Sequence, residues 1–307
     1  MNDLATIEAS AKILEAYTAS LDLKPRSKQA YEKAVRYFLD WTNEKGIQEP
    51  RRQDILAYKE HLTANYSATT AATYLTAVRS FFNYLNAEAG YPLITTGIKN
   101  PKARPGHKKD ALSAEQAKEV LAAIERDTLQ GKRDYAIVSL MLHTGLRTIE
   151  VARADIEDLR NVSGAPVLFV MGKGRDSKDE YVKVTRTVQA AIADYMDARE
   201  AADGKQTPQA PLFASVSRRD YGKRLTPRSV SRISKEALQA AGYDDRRLTA
   251  HSYRHTAVTL ALQAGVPIRD VQQMARHASP LTTERYAHDL RRIEAAAEDA
   301  LEDILAV

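Results

Sequence analysis

The sequence predicts a mainly α-helical protein in two domains, the second carrying one small β-sheet. Three observations lead to this. Apolar residues recur at helical spacing through most of the 307 residues. A stretch dense in proline, glycine and lysine, residues 91–110, interrupts that pattern. The period drops to two only between Val167 and Val184. The length is about twice the ~150 residues of a typical domain, which fits a division at that stretch.

Residues 1–90 read as a four-helix bundle. Tyr31, Val35, Phe38 and Leu39 fall on one helical face, in a helix opened by Pro25 and stopped by Gly46. Leu75, Val78, Phe82 and Leu85 repeat the pattern, and weaker helices cover Ile7 to Leu21 and Arg51 to Ala64. Lys28, Lys33, Arg36, Tyr66, Tyr74 and Arg79 sit on these helices, either as phosphate-backbone contacts or as ordinary helix surface. Residues 91–110 read as a basic linker that includes Lys108 and Lys109. The second domain, 111–307, opens with a capping box, Ser113 and Gln116. Helices are expected at Ala114–Glu125, Arg133–His143 and Thr148–Ala154. Val167–Val170, the turn Gly172-Lys173-Gly174-Arg175 and Tyr181–Val184 then read as a β-hairpin or small sheet. Further helices follow at Thr187–Glu200, Pro227–Ala241, His251–Ala264, Pro267–His277 and Leu281–Ala287. The tail from Arg291 is an acidic helix with an apolar stripe, Ile293, Ala296, Ala297, Ala300, Leu301 and Ile304.

Composition removes several function classes. With 44% hydrophobic residues the chain can bury a core. With no cysteine it has no disulfide framework, no Cys-based zinc or iron–sulfur site and no thiol nucleophile, which fits a cytoplasmic protein. No signal peptide and no membrane-spanning run is read. The net charge of +5 is mild, but Arg218 to Arg254 holds ten Lys and Arg, Arg228 and Arg232 among them, against four acids. Such a stretch suggests a polyanionic partner or a solvated helix face.

Four local motifs carry chemistry. In Thr144-Gly145-Leu146-Arg147, Gly145 suits a helix C-cap and Arg147 then starts the next helix, three residues before Glu150. Gly172-Lys173-Gly174-Arg175 lacks the GxxxxGK(S/T) spacing of a nucleotide loop; it places a lysine at a hairpin tip, as a proton donor or as a common glycine turn. His251-Ser252-Tyr253-Arg254-His255 puts His251 and Arg254 on one helical face. Ser252 stands where a zinc-binding H-E-x-x-H helix needs glutamate, so no metal is assigned. Tyr286 follows Arg276-His277 by nine residues from the histidine, and His288 follows it. A phosphodiester repels nucleophiles. Two arginines can grip its non-bridging oxygens, a tyrosine hydroxyl can attack phosphorus, and lysine and histidine can move the protons.

In this order Arg147, Lys173, His251-x-x-Arg254, His277 and Tyr286 resemble the tyrosine recombinases, the phage integrase and Xer-type family, over essentially the whole chain. The resemblance implies a SAM-like core-binding bundle followed by a tyrosine-recombinase catalytic domain. It implies that Arg147 and Arg254 bind the scissile phosphate and that Lys173 is the general acid. His251 and His277 would hydrogen-bond the phosphate, Glu150 would orient the site, and Tyr286 would carry a 3′-phosphotyrosine. It gives His255 and His288 structural roles. No cofactor or metal is implied. The partners implied are double-stranded DNA with an inverted-repeat core site and further copies of the chain, a tetramer with the tail helix docking in trans. Lys28, Arg36, Arg79, Lys108, Lys109, Arg175, Arg228 and Arg232 are the expected DNA contacts. The family commonly has glycine before the second histidine; Arg276 stands there. The competing expectations are a type IB topoisomerase, a non-catalytic DNA-binding protein and a metal-dependent nuclease.

Overall fold

In the computed structural model the described residues are 4–102, 110–172, 175–294 and 305. The chain divides into two compact units, residues 1–106 and 107–307.

The first unit is a bundle of α1 (Leu4–Ser20), α2 (Pro25–Glu44), α3 (Arg52–Asn65) and α4 (Ala68–Ala89). Pro25 lies in the first turn of α2, where its fixed φ suits a helix and its missing N–H costs nothing. Ser67 caps α4, its Oγ accepting from the Thr70 amide at 3.3 Å. Gly90 ends α4 at φ 65, a left-handed angle that glycine takes without strain. The apolar stripes meet inside the bundle: Phe38, Tyr58, Leu62, Val78 and Phe82 are buried together. Tyr58 stands edge-on to Phe38 at 4.9 Å. Each such side chain contributes roughly 1.5–3 kcal/mol on burial. Tyr66 and Tyr74 pack partly buried around Tyr37, within the same aromatic cluster.

The segment read as linker begins inside this unit. Ile98 is buried in the bundle core, and Arg79 Nη2 donates to Ile98 O at 2.8 Å and to Asn100 Oδ1 at 3.2 Å. Arg79, one of the expected DNA contacts, holds this segment through its Nη2. Lys108 and Lys109 lie outside the described residues.

The second unit is built around α6 (Leu129–Thr144), which follows α5 (Ala114–Ala122). Ala136 to Leu142 of α6 are buried on every side, as in a helix enclosed by others. The capping box before α5 forms: Ser113 Oγ accepts from the Gln116 amide and Gln116 Oε1 from the Ser113 amide. Next come α7 (Thr148–Arg153) and an antiparallel sheet in the order β1 (Leu159–Val162), β2 (Ala165–Val170), β3 (Glu180–Lys183). Then follow α8 (Arg186–Asp203), α9 (Pro227–Ala240), α10 (Ala250–Gln263), α11 (Ile268–Ala275) and α12 (Pro280–Glu294).

The sheet has one strand more than the sequence predicts. β1 was not expected, since Leu-Arg-Asn-Val has no alternating apolar face. It pairs with β2 across a two-residue turn, Ser163-Gly164, both at positive φ, which matches the right-handed twist of a hairpin. β2 and β3 pair antiparallel as expected, with Val170 opposite Glu180, and residues 173 and 174 of the expected turn lie outside the described residues. The two C-terminal helices expected around Leu281–Ala287 and after Arg291 are continuous through Glu294. The side chains of the tail stripe, Ile293 to Ile304, lie outside the description. Among the described residues no helix is long and apolar enough to cross a membrane.

Candidate active site

The site assembles at helix ends. Gly145 ends α6 at φ 64, and a Cβ there would touch Arg254 Cγ and Ala257 Cβ at 3.6 Å. Arg254, 2% exposed on α10, donates from Nη1 to Gly145 O at 2.7 Å and from Nη2 to Ala275 O, just past the last turn of α6 and at the end of α11. A cation there meets the negative ends of two helix dipoles. Burial first, then Arg147 and Arg276, push the Arg254 guanidinium down to about 9 against the opposing pull of Glu150 and Tyr286.

Arg147 is the N-cap residue of α7. Glu150, in the first turn and fully buried, accepts from the Arg147 amide at 2.7 Å and from Arg147 Nη1 at 2.9 Å. An anion at a helix N-terminus is electrostatically favoured, and here it also fixes the arginine that starts the helix. A third arginine reaches the same carboxylate: Arg276 Nη2 donates to Glu150 Oε2 at 2.9 Å. Burial pushes the Glu150 carboxyl up, but Arg276, the Arg147 amide, Arg147 and Arg254 outweigh it and hold it below its ordinary value. Three arginines thus face one buried carboxylate, and Arg147, Arg276 and His277 line one cleft of about 640 Å³. The surplus of positive charge suits a phosphodiester.

His277 follows α11, and its Nδ1 lies 2.8 Å from Thr283 Oγ1 in the first turn of α12. Burial, then Arg254, Arg147, Arg276 and His251, push its imidazole down to about 4, so it is neutral at physiological pH. Tyr286 on α12 is 5% exposed, packed with Val258, Val271 and Ala275. Its ring stacks near His277 at 6.1 Å and tilts against His255 at 4.5 Å. Burial raises the Tyr286 hydroxyl above its ordinary value, offset in part by Arg254, Arg285 and Arg147. The hydroxyl is protonated at rest, within the field of the two arginines expected to hold the phosphate.

The structure therefore gathers Arg147, Glu150, Arg254, His277 and Tyr286. His251 is exposed in the first turn of α10 and close enough to act electrostatically on His277. Lys173 lies outside the described residues, but both flanks of its loop are anchored. Arg153 Nη1 donates to Gly172 O at 3.3 Å, and Lys178 Nζ pairs with Asp155 Oδ2 at 2.5 Å and with the buried Asp158. Lys178→Met is expected to leave those carboxylates short of donors. It should cost about 1–3 kcal/mol of stability in denaturant unfolding. It should also slow by up to ~10²-fold any reaction that depends on the placement of this loop.

The other expected DNA contacts are distributed more widely. Arg175 lines the cleft and pairs with Asp179 at 3.0 Å and Glu180 at 2.9 Å. Arg228 and Arg232 are exposed on α9, the latter 3.9 Å from Glu236. In the first unit, Arg36 pairs with Glu32 at 2.6 Å and Lys28 Nζ donates to Ala19 O at 3.5 Å. Sequence reasoning missed two members of the site. Thr283 carries no signal of its own. Arg276 was visible only as a departure before His277, and its contact with Glu150 spans 126 residues.

Comparison with known proteins shows what the chain is similar to. Residues 110–292 match the model of the phage integrase family, and residues 14–89 match the N-terminal SAM-like domain of phage integrases. The chain is 31% identical over 279 residues to tyrosine recombinase XerA of Pyrococcus furiosus, covering 90% of this chain and 89% of that one. It is 27% identical to tyrosine recombinase XerD of Listeria monocytogenes serotype 4b, covering 94% of each. In fold it is similar to the XerH site-specific recombinase bound to palindromic difH substrate in a post-cleavage complex, with TM-score 0.75 at 18% identity, covering 97% of this chain and 89% of that one. It is also similar to a lambda integrase tetramer bound to a Holliday junction, with TM-score 0.66 at 16% identity, covering 93% and 81%.

Proposed function

The chain belongs to the phage integrase family of tyrosine recombinases, and we propose that it cuts and rejoins duplex DNA at a specific site through a 3′-phosphotyrosine intermediate. The observation that carries this reading is the convergence of Arg147, Arg254, His277 and Tyr286, with Glu150 as the buried counter-ion. Arg147 and Arg254 hold the non-bridging oxygens and stabilise the charge of the pentavalent transition state. Tyr286 Oη attacks phosphorus and loses its proton, with His251 as acceptor. The P–O5′ bond breaks as the P–O bond to tyrosine forms, and Lys173 protonates the departing 5′-oxygen. His277, neutral, hydrogen-bonds the phosphate. The phosphotyrosine conserves the bond energy, so a 5′-hydroxyl from another strand reverses the step without ATP.

Exchange of strands in pairs passes through a Holliday junction. The substrate is double-stranded DNA with an inverted-repeat core site, held by a tetramer whose tail helices dock in trans. The palindromic substrate named for XerH supports the inverted-repeat site, and the tetramer on a Holliday junction named for lambda integrase supports the assembly. The reaction serves integration and excision of a mobile element or Xer-type resolution.

The test is trapping on nicked duplexes from DNA flanking the gene, with EDTA present. A nick near the cleavage point lets the short 5′ fragment leave. A label that shifts with protein and reverts with protease is the expected result, and binding should weaken steeply with salt. Cutting that EDTA abolishes, with no covalent species, would overturn the reading in favour of a metal-dependent nuclease.

A further inference from the structure

Arg276 ends α11 in the left-handed conformation, φ 52 and ψ 49. That conformation has a steric cost for any residue with a Cβ and none for glycine. The backbone work done there, closing the helix so that the His277 amide donates to Gln272 O at 3.1 Å, needs no side chain. The reason for arginine lies in its guanidinium. The side chain is 5% exposed, and Nη1 donates to Met274 O at 2.8 Å while Nη2 donates to Glu150 Oε2 at 2.9 Å. Glu150 receives Arg147 through both its amide and Nη1. A fully buried carboxylate is therefore held from α7 and from the end of α11 at once.

We propose that Arg276 is a positioning residue of the reaction centre, clamping Glu150 so that Glu150 in turn holds Arg147 in register for the scissile phosphate. The proposal rests on the recombinase reading above. The charged groups facing Glu150 are Arg147 at the start of α7, Arg254 on α10 and Arg276 at the end of α11. Burial works against the ionised carboxylate, and Arg276 is the foremost of the groups that oppose it. Without Arg276, Glu150 takes up a proton more readily and grips Arg147 less firmly.

The test measures single-turnover adduct formation on a nicked duplex between pH 5.5 and 9, using the full chain. Arg276→Gly, which suits φ 52, is expected to fold and bind DNA. Its adduct rate at pH 7 should fall tenfold or more, and the acid limb of its profile should move up into the measured range. Arg276→Lys should recover part of the rate. In a Glu150→Gln background, adding Arg276→Gly should change the rate less than threefold, since no carboxylate remains to be clamped. A wild-type profile for Arg276→Gly would overturn the proposal. So would a rate loss with an unmoved acid limb, which marks a merely structural role. The Glu150 carboxyl is also titrated directly by carbon NMR in DNA-free protein. An upward move in Arg276→Gly is expected, and no move overturns the proposal. That measurement stays readable if the wild type forms no adduct, the outcome that would sink the recombinase reading instead.

Discussion

Tyr286→Phe is expected to bind duplex DNA with the affinity and salt dependence of the wild type and to form no covalent adduct. The substitution removes one oxygen and keeps the ring that packs with Val258, Val271 and Ala275 and against His255. Stability should therefore stay within about 1 kcal/mol of wild type. Binding rests on many phosphate contacts and should be unaffected. Chemistry loses its proposed nucleophile, and Thr283, also buried on α12, is engaged with His277 Nδ1 and does not replace it. The measurement is denaturing electrophoresis of labelled nicked DNA after incubation, beside a binding titration at several salt concentrations. An adduct that survives Tyr286→Phe sinks the nucleophile assignment.

Arg254→Gln is expected to have the next largest effect. It removes the charge at the phosphate and the planar fork that bridges Gly145 O and Ala275 O. Loss of one such donor typically costs ~10²–10³ in rate. Leaving a buried carbonyl short of its donor costs about 1–3 kcal/mol. A consequence specific to this site follows at His277. After burial, Arg254 is the leading cause of its depression to about 4. A histidine depressed from 6.5 to about 4 refuses, when folded, a proton that the unfolded chain accepts between those values. Wild-type stability therefore falls as pH drops across that window and is unaffected by this group above it. In Arg254→Gln the His277 titration, followed by NMR, should move up from about 4, and the loss of stability toward acid should become shallower. A His277 titration that stays in place would refute this electrostatic account. An adduct rate close to wild type would remove Arg254 from the chemistry.

Much of the local architecture was legible in the sequence because its causes are local. Pro25 opens α2, Ser113 and Gln116 close a capping box, and Gly145 ends α6 at positive φ. Each acts on neighbours within a turn. The failures share a cause as well. β1 is an edge strand of mixed polarity, stabilised by pairing with β2 more than by its own pattern. Ile98 is one apolar residue in a proline- and glycine-rich stretch, and only the bundle core it enters shows that it belongs to the first unit.

The candidate site divides in the same way. The helices follow from local patterning, and the order and spacing of Arg147, Glu150, His251, Arg254, His277 and Tyr286 point to the family. Side-chain chemistry and spacing carry that information without coordinates. What each group experiences depends on partners brought in by folding. Arg254 meets Gly145 O 109 residues away, and Arg276 meets Glu150 across 126. His277 loses its proton to burial and to three arginines drawn from α7, α10 and the end of α11. Such contacts depend on how helices pack, and packing is a property of the whole core, which no local window of residues specifies.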